Sequence, residues 1–206
     1  MATYDGTIAT GTDDAFENSI GATTTNGTTI NPDEDDEWGF WRWTGLEDLD
    51  GATITSATAT FYFTSTTGDE PQHQFWGHDV DNSATATAGG GGGNNISSRT
   101  KTTASITWEN TDLGASAGST FSPPDLSAIL QEMSDSGHLA AGVFSLLCAS
   151  ITGDASRDFQ TGTYELSVPP DDPRADLSVV YTPAASGAVS LVNDRGINLL
   201  RGLVGR

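Results

Sequence analysis

Three histidines, one cysteine and 28 acidic side chains set the chemistry open to this chain of 206 residues. His73 and His78 sit at opposite parity in a run that reads as a strand, so they face opposite sides. A hydrolytic triad needs a serine held by a histidine that an acid orients. No nucleophile-elbow motif is present, His138 stands apart, and acids are too many for spacing to single out a glycosidase pair. Cys148, inside the apolar run Gly142–Cys148, has no second cysteine to pair with. It reads as a small buried thiol. The expectation is a protein that is not an enzyme.

Two acidic stretches could offer oxygen ligands to calcium, Asp33–Glu37 and Asp79-Val-Asp81-Asn82. Neither fits the EF-hand loop. Asp79 and Asp81 are the metal candidates, and calcium is the one cofactor to consider. The plainer reading is a solvated acidic loop. His78 beside Asp79 hints at zinc, but no second His or Cys lies at ligand spacing. Five tryptophans offer faces on which a sugar could stack. Trp41, Trp43 and Trp108 fall at alternating core positions. That leaves Trp38 and Trp76 as the glycan-binding candidates.

The last candidates lie at the C-terminus. All 28 acids and five of the eight bases lie at or before Asp194, a formal charge of −23. Residues 195–206 carry only Arg195, Arg201 and Arg206, a formal +3. Ile197, Leu199, Leu200, Leu203 and Val204 are interleaved with them. Gly196, Gly202 and Gly205 disfavour a lone helix. An apolar basic tail behind the linker Pro183–Gly187 packs against something, either its own acidic domain or another subunit. The second is preferred, because ordered tails commonly tie assemblies together.

The elements that position these residues follow from periodicity. The stretch from Trp38 to Phe63 reads as two strands joined by an acidic turn at Leu46 to Gly51. Trp41 and Trp43 share one face of the first. Ala57, Ala59, Phe61 and Phe63 share a face of the second, with Thr58, Thr60 and Tyr62 opposite. This alternation marks antiparallel sheet with one face on a core. Gln72 to Val80 reads as a further strand, and Ser105 to Trp108 as a short one with Ile106 and Trp108 inward. Val143 to Cys148 is apolar on both faces, hence a central covered strand. Tyr164, Leu166 and Val168 alternate, and Leu177, Val179 and Tyr181 close the sheet. Leu126, Ile129, Leu130 and Met133 predict one helix, with Ser122 and Asp125 as a capping box, Pro123 at its first position and Gly137 as its stop. Residues 1–32 read as an irregular lead-in with one or two edge strands. Gly89 to Gly93 read as a surface loop, since no Lys-Ser or Lys-Thr pair follows to make a phosphate cradle.

The expected fold is therefore all-β: a two-sheet antiparallel sandwich, jelly-roll-like, over residues 1–182, with one short helix. Residues 183–206 form the linker and tail. The formal charge of −20 repels nucleic acid and anionic membrane. No apolar run is long enough to span a bilayer. The polar, acidic opening from Met1 to Ile20 does not read as a leader, so synthesis in the cytoplasm is expected.

The order of motifs resembles the DNRLRE-type or carbohydrate-binding-module-like β-sandwich domains of bacteria and phages. The pieces are Arg42-Trp43, Leu46, Gly51 to Thr58, Ile106-Thr-Trp-Glu-Asn110, the helix, the apolar strand, Ser156-Arg157 and Pro173 to Tyr181. The match spans roughly residues 13–182. Thr44, where such domains often have Asp, and the five glycines depart from the pattern. The resemblance implies a jelly-roll-like sandwich serving as a virion structural module or as a polysaccharide-binding module. The expected role is a decoration, turret or fibre protein of a tailed virus. It would be made in the host cytoplasm, sit in the virion as a homo-oligomer among other virion proteins, and be anchored by its tail. A host surface glycan is a further partner to consider.

Overall fold

The computed structural model describes residues 1–25, 27, 29–32, 36–64, 72–90, 95–109, 118–151, 161–163 and 174–185. The strands are β1 (Ala2–Thr7), β2 (Asp14–Glu17), β3 (Thr23–Thr24), β4 (Thr29–Ile30), β5 (Trp38–Thr44), β6 (Thr53–Tyr62), β7 (Gln72–His78), β8 (Lys101–Glu109), β9 (Thr120–Phe121), β10 (Val143–Ser150), β11 (Thr161–Gly162) and β12 (Asp176–Thr182). One helix, α1, spans Ser127–Asp135. The expected strand at Tyr164–Val168, Ser156-Arg157, Gly91–Gly93 and the tail lie outside the described residues.

Two antiparallel sheets form the sandwich. One has the order β1-β12-β6-β9, the other β3-β2-β5-β10-β7-β8. The first turns Ala57, Ala59, Phe61, Leu177 and Val179 inward. The second meets them with Trp41, Trp43, Phe75, Phe144, Leu146 and Cys148. Trp41 packs 4.7 Å from Phe61, ring centre to ring centre. Removing each large side chain such as Phe61, Leu177 or Leu146 from water stabilises the fold by roughly 1.5–3 kcal/mol.

Strand β10 is buried along Val143–Ala149 because it lies between β5 and β7 with both faces covered. Its outward residue Leu147 joins Phe40, Ala15, Ala86 and Ile96 in a second, smaller cluster. Ala86 and Ile96, from residues 83–90 and 95–99, supply that cover.

Three sequence expectations change. β5 and β6 do not pair with each other: the acidic turn, with a short 3-10 stretch at Glu47–Leu49, carries the chain from one sheet to the other. β12 is an interior strand flanked by β1 and β6, not a closing edge. The lead-in contains β2, an interior strand with Asp14, Ala15 and Glu17 buried. Its acids looked too polar for an interior, but they bury by pairing with groups distant in sequence.

The helix seals an open side of the sandwich. Its Glu132 carboxylate accepts the N–H groups of Thr103 and Ala104 on the edge of β8, at 2.8 and 2.6 Å. Gln131 accepts from Ile54 N–H on β6 at 2.8 Å and donates to Ala52 O. Two sheet edges are thereby blocked against foreign strands. The expected cap is replaced. Asp125 accepts both Ser127 N–H and Ala57 N–H through Oδ1, while Ser122 pairs with Thr60. Pro123 precedes the helix, which starts at Ser127. The stop holds: Gly137 is at φ +74, with His138 N–H donating to Met133 O and Gly137 N–H to Ser134 O. That pair of bonds satisfies carbonyls that a helix end leaves open.

Candidate functional site

The outer face of the six-stranded sheet holds a polar layer beneath residues 79–90 and 95–99. It follows from parity. Arg42 sits between Trp41 and Trp43, so it must point away from the core they enter. Its guanidinium meets Asp13 at 2.6 Å and donates through Nε to Ser83 O at 2.8 Å. Arg99 lies over the Phe40 ring, 4.3 Å from its centre. It also donates to the carbonyls of Ala84, Thr85 and Asn95. Glu17 accepts Ile96 N–H at 2.6 Å. Arg42, Arg99 over Phe40, and Glu17 thus tie the covering segment to the sheet at three points.

Within this layer Ser83 and His78 resemble a nucleophile and its base, 2.7 Å apart. Both groups have further partners. The Ser83 hydroxyl, 1% exposed, also takes a hydrogen bond from Ser145 at 2.8 Å and one from Arg99 at 3.2 Å. Burial, then the charge of Arg99, pushes His78 down to about 4. The carboxylate beside it in sequence, Asp79, pairs with His138 at 2.9 Å instead. Ser83 therefore accepts twice and donates to the imidazole, so its hydroxyl is fully partnered.

His73 faces the core, opposite His78 as expected, with Nε2–H donating to Pro32 O at 2.7 Å. Burial pushes it down to about 4, against the pull of that hydrogen bond. Cys148 is fully buried, which raises its thiol well above the usual range.

Asp79 and Asp81 stand after β7. Asp79 is engaged by His138, and Asp81 accepts Ala141 N–H at 3.2 Å. Among the described residues no group of three or more His, Cys, Asp or Glu is placed to hold a metal ion. Trp38 and Trp76 do come together, on adjacent rows of the outer face, with centroids 5.7 Å apart and planes tilted by 34°. Both are half-buried. The Lys101 ammonium lies over the Trp38 ring, 4.3 Å from its centre. Beside Trp38 is a cavity of about 250 Å3 lined also by Glu17, Asn18, Ser19, Asp36 and Ser97.

Arg195, Ile197, Leu199, Leu200, Arg201, Leu203, Val204 and Arg206 lie outside the described residues. The described chain leaves the sandwich at Thr182, and Ala184 then lies against Gly51 beside the acidic turn. The arginine layer was missed from sequence, although a signal existed: in a chain of eight bases, an arginine between two core tryptophans marks a charge on a strand's second face. Compared with protein-family models and with curated protein sequences, the chain matches none.

Proposed function

We propose that this chain is a non-enzymatic structural protein of a tailed virus, decorating or projecting from the particle, and that residues 188–206 anchor it. One observation carries the reading. The charge reverses from −23 over residues 1–194 to +3 over residues 195–206, where arginines alternate with large apolar side chains. Among the described residues β12 completes its pairing with β6 by Thr182, ahead of the linker. Apolar side chains with interspersed arginines suit a desolvated interface with an acidic rim. The Ser83–His78 pair is occupied by Arg99 and Ser145, which supports a role without catalysis.

A polysaccharide-binding module is the other expectation, and it has less support. Coplanar exposed rings would favour it. Trp38 and Trp76 are tilted by 34°, and Lys101 occupies the Trp38 ring.

Light scattering on the full chain and on a chain ending at Ala184 tests the reading, at low and high salt. An oligomer that becomes a monomer on truncation is expected. Equal masses would remove the tail as an assembly element.

A further inference from the structure

We propose that His78, Ser83 and Arg99 form an acid-released latch. Protonation of His78 frees residues 83–90 and 95–99 from the outer face of the six-stranded sheet, while the sandwich beneath stays folded.

The latch follows from a count of donors at one hydroxyl. Ser83 Oγ accepts from Ser145 Oγ at 2.8 Å and from Arg99 Nη1 at 3.2 Å, and it donates to His78 Nδ1 at 2.7 Å. A hydroxyl has two acceptor positions and one hydrogen, so all three are in use. Protonation turns Nδ1 from an acceptor into a donor. Three donors then face two acceptor positions, and the Ser83 hydrogen loses its acceptor. Ser145 is neutral and held within β10. Arg99 is the donor that yields, because Nη1 lies 3.5 Å from Nδ1 and both groups would then be cations.

The surrounding charges do not offset that repulsion. Arg99 and, from β8, Lys101 oppose a charged His78. Asp79, its chain neighbour, favours one but is paired with His138 at 2.9 Å. Arg42, from β5, adds a further cation facing Arg99, and its partner Asp13 is engaged at 2.6 Å. Glu17, from β2, holds the N–H groups of Ile96 and Ser97.

Arg99 is also the group that holds both limbs of the segment. It donates to the Ala84 and Thr85 carbonyls in one limb and to the Asn95 carbonyl in its own. Beneath lie Phe40, Leu147 and Ala15, which with Ala86 and Ile96 form a cluster separate from the core between the sheets. Among the described residues the segment adds no strand to either sheet and meets β3 in an isolated bridge, Thr23 to Gly89. Lifting it therefore opens the small cluster and leaves the large one packed.

The direction in pH follows. Burial, then the charge of Arg99, pushes His78 down to about 4 when latched, whereas a released imidazole keeps its ordinary 6.5. Above pH 6.5 His78 is neutral in both states, and the latch has its full strength. As pH falls from 6.5 towards 4, the released state takes up a proton that the latched state refuses. With solvent screening at this half-buried site allowed for, release should be favoured at least about tenfold more at pH 5 than at pH 7.

Hydrogen exchange on the full chain at the two pH values, corrected for intrinsic rates, tests this. The amides of Ala86, Gly89, Ile96 and Arg99 are each hydrogen-bonded in the latched state. They should lose protection by about tenfold or more, while those of Val143–Ala149 keep theirs. His78→Asn, whose Oδ1 accepts from Ser83 without titrating, should abolish the change. Ser145→Ala, which returns one acceptor position to Ser83, should shrink it, and it decides the matter if His78→Asn does not fold. No loss in the wild type, an equal loss in β10, or a loss that neither variant reduces overturns the latch.

Discussion

Arg42 and Asp13 are joined twice, by guanidinium to carboxylate at 2.6 Å and by Arg42 N–H to Asp13 O at 2.7 Å. The pair ties the start of β2 to β5 beneath the covering segment. Arg42→Met should destabilise the domain by about 3–5 kcal/mol, because it leaves the Asp13 carboxylate buried without its partner. Urea unfolding measures this. A loss below about 1 kcal/mol, the size of an exposed pair, would mean that the bridge is solvated.

Ser83→Ala separates packing from catalysis. As a hydrogen-bond junction, Ser83 should cost about 1–3 kcal/mol when removed, since Ser145, Arg99 and His78 lose a shared partner. Any background hydrolysis of an activated ester should stay unchanged. A loss of hydrolysis with stability intact would make Ser83 a nucleophile.

Acid should weaken the fold through His73. Its folded value is pushed down to about 4, against 6.5 in the unfolded chain. Above pH 6.5 it is neutral in both states, so its contribution to stability is fully present. As pH falls from 6.5 towards 4, the unfolded chain takes up a proton that the folded chain refuses. Roughly 3 kcal/mol is lost across that window. His78 shifts in the same direction. Phenylalanine in place of His73 should flatten the fall in melting temperature over that range. An unchanged slope would assign it to other groups.

Gly77 holds β7 close to the helix. A Cβ there would meet Ile129 Cγ2 and Thr102 Cγ2, each at 3.0 Å. Gly77→Ala should cost about 1–3 kcal/mol by overpacking and should loosen α1. Hydrogen exchange across Ser127–Asp135 reads this out, and unaltered protection there would show that the neighbours give way freely.

Cys148 should resist thiol reagents in the folded protein, because its side chain is inaccessible and burial disfavours its thiolate. Its labelling rate should track unfolding. Rapid labelling of the native protein would contradict the central placement of β10.

Local alternation determined much of this protein from sequence alone. The inward faces of β5, β6 and β12, the covered strand at Val143–Cys148 and the stop at Gly137 are read from neighbours two to four residues apart. That distance is where strand and helix periods act. The partners were decided only in three dimensions. Asp13, Asp14 and Glu17 belong to an interior strand and its approach, which no polarity pattern suggests. Asp13 is buried by an arginine 29 residues away, and Glu17 by a backbone N–H 79 residues away. The transfer of the chain between sheets after Thr44 and the meeting of Trp38 with Trp76 are equally non-local. A period along the chain reports which face is apolar, whereas burial of a charge depends on what the rest of the chain brings to it.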